Sequence, residues 1–223
     1  MGICDGRVVI ITGAARGLGR EYALAFAAEG ASVVVNDIGT SLGGEGRDTS
    51  AADAVVAEIT ATGGQAIANY EDITDWDGAK RIVDAAVAAF GGLDVVVNNA
   101  GIVRDRMFVS ATLDEWDATM HVHLRGHFCL SRHAVDYWRA RQKAGDPVDA
   151  RIINTTSGAG LQGSIAQAAY STAKGGIAAL TLVQAAELGR YGITANALAP
   201  SARTRMTEQA FAEKMATADQ AFD

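Results

Sequence analysis

The sequence predicts an α/β protein built on one doubly wound parallel sheet, in a single domain spanning residues 1–223, and three observations predict it. Short β-branched runs alternate with longer Ala-rich helical stretches along the chain. The short runs are apolar nearly throughout instead of alternating, as parallel strands buried on both faces are. Finally, 223 residues that are 49% hydrophobic and 20% charged can fill the core of one domain, which excludes general disorder.

The elements follow in order. Val8, Val9, Ile10 and Ile11 make residues 7–12 the first strand, and the Ala-rich stretch 17–29 is the first helix. Val33, Val34 and Val35 carry a second strand over 32–37, and Ala51 and Ala52 belong to a helix over 49–62. A third strand is read at 65–69 and a helix at 76–90. Val95, Val96 and Val97 place a fourth strand at 94–98, followed by one long helix over 113–142. Strands at 150–156 and 193–198 flank a helix over 168–191. Strand–helix alternation repeated this often means right-handed βαβ units. The Gly-rich stretch 39–46 falls between a strand and its crossover helix, so it reads as a surface loop beside the ligand site, not a linker. No internal repeat or low-complexity tract is present.

Composition excludes several classes of function. With 19 Lys and Arg against 26 Asp and Glu, the net charge is −7, which lacks the basic face that phosphate neutralisation by a nucleic-acid binder needs. No apolar run approaches the roughly 20 residues of a membrane span, and no charged-then-apolar leader opens the chain. Two cysteines, Cys4 and Cys129, make no disulfide framework. The expectation is a soluble cytoplasmic protein.

Thr12-Gly13-Ala14-Ala15-Arg16-Gly17-Leu18-Gly19 lies directly after the first strand and opens the first helix. Glycines there allow a tight turn and let backbone approach a pyrophosphate, which then sits on the helix N-terminus. Asp37 ends the second strand, about 20 residues further on, where a ribose 2′-hydroxyl is held in such folds. A carboxylate accepts hydrogen bonds from a diol and repels a 2′-phosphate, which favours NAD over NADP. Arg16 is the counter-argument, since a cation in the glycine loop can pair with a 2′-phosphate; its other reading is a solvated loop charge.

Tyr170-Ser171-Thr172-Ala173-Lys174 opens a helix, and positions i and i+4 share a face, so the lysine can sit near the tyrosine hydroxyl. A neighbouring cation and the positive charge of a bound nicotinamide favour the phenolate and lower its pKa, which suits proton exchange between a carbonyl and an alcohol. Ser157 ends the strand before this helix, where its hydroxyl can hold the reacting oxygen against the tyrosine.

These residues, together with Asp72-Ile73-Thr74, Asn98-Asn99-Ala100-Gly101 and Pro200, resemble the short-chain dehydrogenase/reductase family over nearly the whole chain. The resemblance implies a Rossmann-type sheet, a nicotinamide cofactor, and hydride exchange catalysed by Ser157, Tyr170 and Lys174. It further implies that Gly13, Arg16, Gly17, Leu18 and Gly19 cradle the cofactor, and that Tyr170 and Lys174 touch it. Asp72 and Ile73 would border the adenine. Asn99, Ala100 and Gly101 would line the cleft, and Pro200, Ser201 and Thr204 would pass near the carboxamide.

A narrower resemblance rests on Val35-Asn36-Asp37-Ile38-Gly39, Gly101-Ile102-Val103-Arg104-Asp105-Arg106 and His121-Val122-His123-Leu124-Arg125-Gly126. These are similar to the dehydrogenase part of the peroxisomal multifunctional enzyme type 2 subfamily. Its members oxidise (3R)-hydroxyacyl-CoA thioesters with NAD, and some act on 17β-hydroxysteroids. The implied partner is a small molecule, an acyl-CoA thioester or a steroid.

The chain departs from the general family at two places. His123 stands where most members carry an asparagine that helps hold a relay water, and it is expected to keep that relay role. Members also continue past Pro200 to one more strand, whereas here a polar helical-looking stretch, 207–221, closes the sequence without one. All four histidines, His121, His123, His127 and His133, fall close together, yet no carboxylate completes a metal-binding pattern and the expectation is no metal.

The remaining candidates carry alternatives. Arg104-Asp105-Arg106 reads as a grip on an acidic CoA tail or as a solvated charge cluster. Gln162, Gly163 and Gln167 read as substrate contacts or turn residues, and Trp116 and Trp138 as core and interface residues. Family members pair through the long helix and the one bearing Tyr170, so a homodimer or homotetramer is expected. The favoured activity is NAD(H)-dependent interconversion of a secondary alcohol and a ketone. The alternatives are NADPH-dependent 3-oxoacyl-carrier-protein reduction and a cofactor-binding regulatory protein with vestigial catalysis.

Overall fold

Branched Cβ atoms favour extended backbone and pack well on a pleated surface, and the valine- and isoleucine-rich runs form the sheet. In the computed structural model, which describes residues 2–202, the strands are β1 (Val8–Thr12), β2 (Ser32–Asn36), β3 (Gln65–Asn69), β4 (Val95–Asn98), β5 (Ala150–Thr155) and β6 (Ile193–Leu198). All pair in parallel, in the order β3-β2-β1-β4-β5-β6. Val9 stands level with Val33 on one side and Val95 on the other. The strand order reverses between β1 and β4, and a crevice opens there at their carboxyl ends.

Among the described residues seven α-helices accompany the sheet: α1 (Gly17–Ala28), α2 (Ser50–Ala61), α3 (Trp76–Phe90), α4 (Leu113–Met120), α5 (Gly126–Lys143), α6 (Gly158–Gln162) and α7 (Ala168–Leu188). Alternate residues of a strand face opposite sides. Val9, Ile11, Val33 and Val35 therefore pack with Ala23 and Ala27 of α1 and Val55 and Ile59 of α2. Val8, Ile10, Val34 and Val96 pack on the other side with Ile82 and Val83 of α3 and Leu130, Ala134 and Trp138 of α5. With both faces covered, no strand position in the centre tolerates a polar side chain, which accounts for the unbroken apolar runs.

Four expected strand residues, Arg7, Asp37, Asp94 and Thr156, fall one position outside their strands. Two of them serve the ends: the Asp94 carboxylate accepts the Val8 amide at 2.8 Å, and Asp37, its amide donating to the Asn69 carbonyl at 3.0 Å, lines the crevice.

The long helix expected over 113–142 is corrected. It begins with a capping box between Thr112 and Glu115, but a π-helical turn at His121–Arg125 separates α4 from α5. Such single-turn insertions gather at functional sites, and this one carries His123. The helix expected to run to 191 leaves α-geometry at Leu188 and tightens to a 3₁₀ turn, which Gly192 ends with φ +74°. Helix α6, absent from the sequence reading, is a single turn whose first amides are met by the Ser157 side chain, accepting from Ala159 at 3.2 Å.

Trp138 is buried and donates to the Leu93 carbonyl at 2.7 Å, whereas Trp116 remains 37% exposed and is not a core residue. Cys4 and Cys129 are both free thiols. Among the described residues no helix is long and apolar enough to cross a membrane. Thr204 and the stretch 207–221 lie outside the described residues.

Candidate active site

The crevice at the carboxyl ends is a cleft of about 830 Å³, and the glycine loop forms one wall of it. Gly13 holds φ +63°, and a Cβ there would stand 2.8 Å from the Ala100 Cα. The β1–α1 turn therefore needs a bare backbone to pass beneath the segment after β4. Thr12, read in the sequence as the first residue of the glycine-loop motif with no role of its own, ties the two together. Its Oγ1 accepts the amides of Asn99 at 2.9 Å and Ala100 at 3.0 Å. The Asn99 side chain returns the link, donating to the Thr12 carbonyl at 3.0 Å and the Gly13 carbonyl at 3.3 Å. Gly17 and Leu18 line the cleft, and Gly19 lies behind the wall, tight against the Gly13 carbonyl.

Helix α1 starts at this wall with no side chain capping its first amides and no acidic residue in its first turn. Unmet N–H groups at the positive end of a helix make an anion site. Asp37 sits opposite, its two oxygens accepting the Ala15 amide at 3.0 Å and the Gly39 amide at 2.8 Å. Arg16 also lines the cleft, its guanidinium held by Asp48 at 2.9 Å and the Thr40 carbonyl at 3.3 Å. Asp72, Ile73, Asn99, Ala100, Gly101 and Pro200 all line the same cleft. Asp72 also folds its own loop, accepting from the Thr74 amide and hydroxyl, each at 2.8 Å.

The floor carries Ser157, Tyr170 and Lys174. The hydroxyls of Ser157 and Tyr170 are within hydrogen-bonding reach of each other. Lys174 is 2% exposed, donates to the Thr155 carbonyl at 2.6 Å, and holds its Nζ 5.7 Å from the centre of the Tyr170 ring. Burial lowers the Lys174 pKa to about 7, so the amine can gain and lose a proton near neutrality. Tyr170 departs from the sequence expectation. Burial pushes its pKa up, outweighing the Ser157 hydrogen bond that pulls it down, and Asp105 adds to the rise. The lysine, itself desolvated and turned to Thr155, does not bring the phenol down.

His123 is 1% exposed and stands edge-on to the Tyr170 ring, with centroids 5.3 Å apart. Its Nε2 lies 2.8 Å from the Ile102 carbonyl oxygen and 3.1 Å from the Ile102 amide, while Nδ1 is buried without a partner. Burial and the Lys174 charge push its pKa down to about 3. The ring is neutral at working pH, and it anchors the segment after β4. Gly101 must be bare for this, since a Cβ there would meet the His123 ring carbon at 2.3 Å. His127 is fully buried one turn further on, and burial holds its pKa well below the usual histidine range. His121 lines the cleft and His133 packs on the Trp76 ring.

Gln162, Gly163 and Gln167 are absent from the walls of the cleft, and Gln167 instead donates to Asp105 at 2.8 Å. Thr155, Thr156 and Leu42 line it without having been singled out in the sequence, and His121, weighed there only as a metal ligand and a family likeness, lines it too. For the two threonines the signal was available, because they end the strand that leads into Ser157.

Residues 7–215 match the short chain dehydrogenase family. The chain belongs to that family. It is 48% identical over 209 residues to hydroxyacyl-CoA dehydrogenase ChsB1 of Mycobacterium tuberculosis, covering 93% of this chain and 64% of that protein. It is 47% identical over 214 residues to peroxisomal multifunctional enzyme type 2 of Mus musculus, covering 96% of this chain and 28% of that one. The crystal structure of a short chain dehydrogenase from Mycobacterium avium superposes with a TM-score of 0.86 at 62% identity, covering 92% of this chain and 70% of its own. The chain thus spans less than two thirds of the length of these two curated relatives.

The residues of this short chain dehydrogenase fit a nicotinamide dinucleotide. The uncapped α1 end accepts a pyrophosphate, the bare Gly13 turn leaves room for it, and Asp37 faces the cleft where a ribose would lie. When bound, such a cofactor supplies the acceptor or donor of a hydride. Ser157, Tyr170 and the titratable Lys174 stand together on the floor beside the space such a cofactor would fill.

Proposed function

We propose that the chain is an NAD(H)-dependent oxidoreductase that interconverts a secondary alcohol and a ketone, with a 3-hydroxyacyl-CoA as its substrate. The observation that carries this reading is the meeting of Ser157, Tyr170 and Lys174 on the floor of a cleft walled by the glycine loop. In the proposed oxidation the Tyr170 oxygen takes the alcohol proton while Ser157 holds the substrate oxygen. Lys174, near neutral in its titration, exchanges the proton onward and holds the ribose. His123 holds the floor and stands beside the relay, with its free Nδ1 a place for a water. The acyl-CoA class is supported by relatives named for hydroxyacyl-CoA dehydrogenation; a steroid alcohol is the other class the cleft would take.

Asp37 supports NAD over NADP. Its carboxylate faces the cleft with both oxygens fixed by backbone amides, and Arg16, the nearby cation, is engaged with Asp48. A 2′-phosphate beside Asp37 would meet a negative charge, with the Arg16 guanidinium already engaged. The test is kcat/KM for NAD and NADP with one substrate, in the native protein and in Asp37→Ala. The expected native preference is NAD, and the substitution should raise the NADP/NAD ratio by roughly tenfold or more, one such factor being about 1.4 kcal/mol. A native preference for NADP, or a ratio unmoved by the change, overturns the cofactor assignment.

Two free cysteines fit a reducing compartment such as the cytoplasm. The proposed assembly is a homodimer or homotetramer formed through α5 and α7, where Phe128, Leu182 and Val183 are exposed.

A further inference from the structure

We infer that Arg104 is the grip for a phosphate on the pantetheine arm of the substrate, and so selects a CoA thioester over a steroid. The inference rests on the proposed acyl-thioester reading and names the residue that enforces it. The three charges of the Arg104-Asp105-Arg106 run have separate fates. Arg106 is tied to Glu115 at 2.6 Å, and Asp105 accepts from Gln167 at 2.8 Å. Arg104 alone lines the main cleft. Its Nε donates to the Gly43 carbonyl at 3.0 Å, which fixes the plane of the guanidinium. Among the described residues no carboxylate pairs with it, and both terminal nitrogens remain for a ligand. A guanidinium held in this way presents a two-pronged donor suited to phosphate oxygens.

Two ligands could bring phosphate here, and placement favours the substrate. The cofactor's pyrophosphate has its own site at the uncapped α1 N-terminus, whereas Arg104 is anchored on Gly43 of the loop after β2. Arg104 also borders a second, smaller cleft with Thr112, Trp116, Ala168 and Ala169, on the side where α7 begins and Tyr170 stands. It therefore stands where the main cleft and this second cleft share a lining residue, between Gly43 and the start of α7. A phosphorylated arm reaching the floor from that side passes the guanidinium, whereas a steroid carries nothing for it to hold.

The test uses one 3-hydroxyacyl group on three carriers: CoA, 4′-phosphopantetheine and N-acetylcysteamine, the last without phosphate. Arg104→Met, which keeps the apolar stem, should raise KM for the CoA thioester by roughly tenfold or more, since a charged hydrogen bond is worth about 1.5–3 kcal/mol. The kcat, the KM for NAD and the KM for the N-acetylcysteamine thioester should stay unchanged, and Arg104→Lys should fall between. The phosphopantetheine arm tells which phosphate is held: a loss equal to that for CoA assigns the 4′-phosphate, a smaller one the CoA nucleotide. A raised KM for NAD would move Arg104 to the cofactor and overturn the inference. Equal losses on all three carriers, or no loss, would overturn it too. Calorimetric binding of free CoA to the NAD-saturated protein separates this from the parent reading. If native protein binds CoA, Arg104→Met does not, and no thioester is turned over, the dehydrogenase reading fails while the grip stands.

Discussion

Tyr170→Phe is expected to lower turnover by roughly 10²–10⁴-fold, the range for removing a positioned general acid or base, with cofactor affinity kept. The ring survives the change, so its edge contact with His123 and its packing over Lys174 are retained. Only the hydroxyl that meets Ser157 is lost. Turnover measured at saturating substrate, beside a fluorescence titration with NADH, reads the two effects separately. The same experiment on Lys174→Met should weaken both, because that side chain serves proton exchange and the ribose together. A phenylalanine variant within about tenfold of native turnover would move the proton transfer to another group.

The second large effect is on acid stability. His123 titrates at about 3 in the folded chain against 6.5 when free, because burial and the Lys174 charge oppose its protonation. Above pH 6.5 both folded and unfolded states hold it neutral, and the folded state suffers no penalty. Between 6.5 and about 3 the unfolded chain binds a proton that the folded chain refuses, so stability falls as pH falls through that window. At 1.36 kcal/mol per unit, the loss is on the order of 5 kcal/mol, a large part of a typical domain's stability. His127, shifted in the same direction, steepens it. Lys174 acts in the same sense at higher pH, between 10.5 and about 7, so its share is already complete at neutrality. Urea midpoints measured across this range should fall steeply for native protein and less steeply for His123→Asn and His127→Ser. Equal slopes in all three would show that other groups drive acid unfolding.

The fold was legible because its rules act locally. Strands buried on both faces must be apolar, and β1, β2 and β4 are written as such runs. The glycine loop and the Tyr170/Lys174 pair were legible for a similar reason, since a fixed spacing after a strand or along one helix turn places them. What failed depends on contacts far apart in sequence. The π turn at His121–Arg125 is set by His123 reaching the Ile102 backbone, and nothing within the helix announces it. The direction of the Tyr170 shift follows from how deeply the ring is buried, which spacing does not give. Thr12 was read as the opening of the glycine loop, yet its hydroxyl also holds the segment after β4 through two adjacent amides, 87 and 88 positions away. The three charges at 104–106 are equivalent in sequence and divide only when Glu115 and Gln167 are brought to two of them.

The most direct test of the account follows the hydride itself. A (3R)-3-hydroxyacyl-CoA carrying deuterium on the carbinol carbon is incubated with native protein and NAD, and the cofactor is recovered for mass analysis. The account predicts deuterium on the nicotinamide ring, a slower reaction than with the unlabelled substrate when chemistry limits the rate, and no transfer by Tyr170→Phe over the same interval. Deuterium absent from the cofactor while substrate is consumed would contradict it.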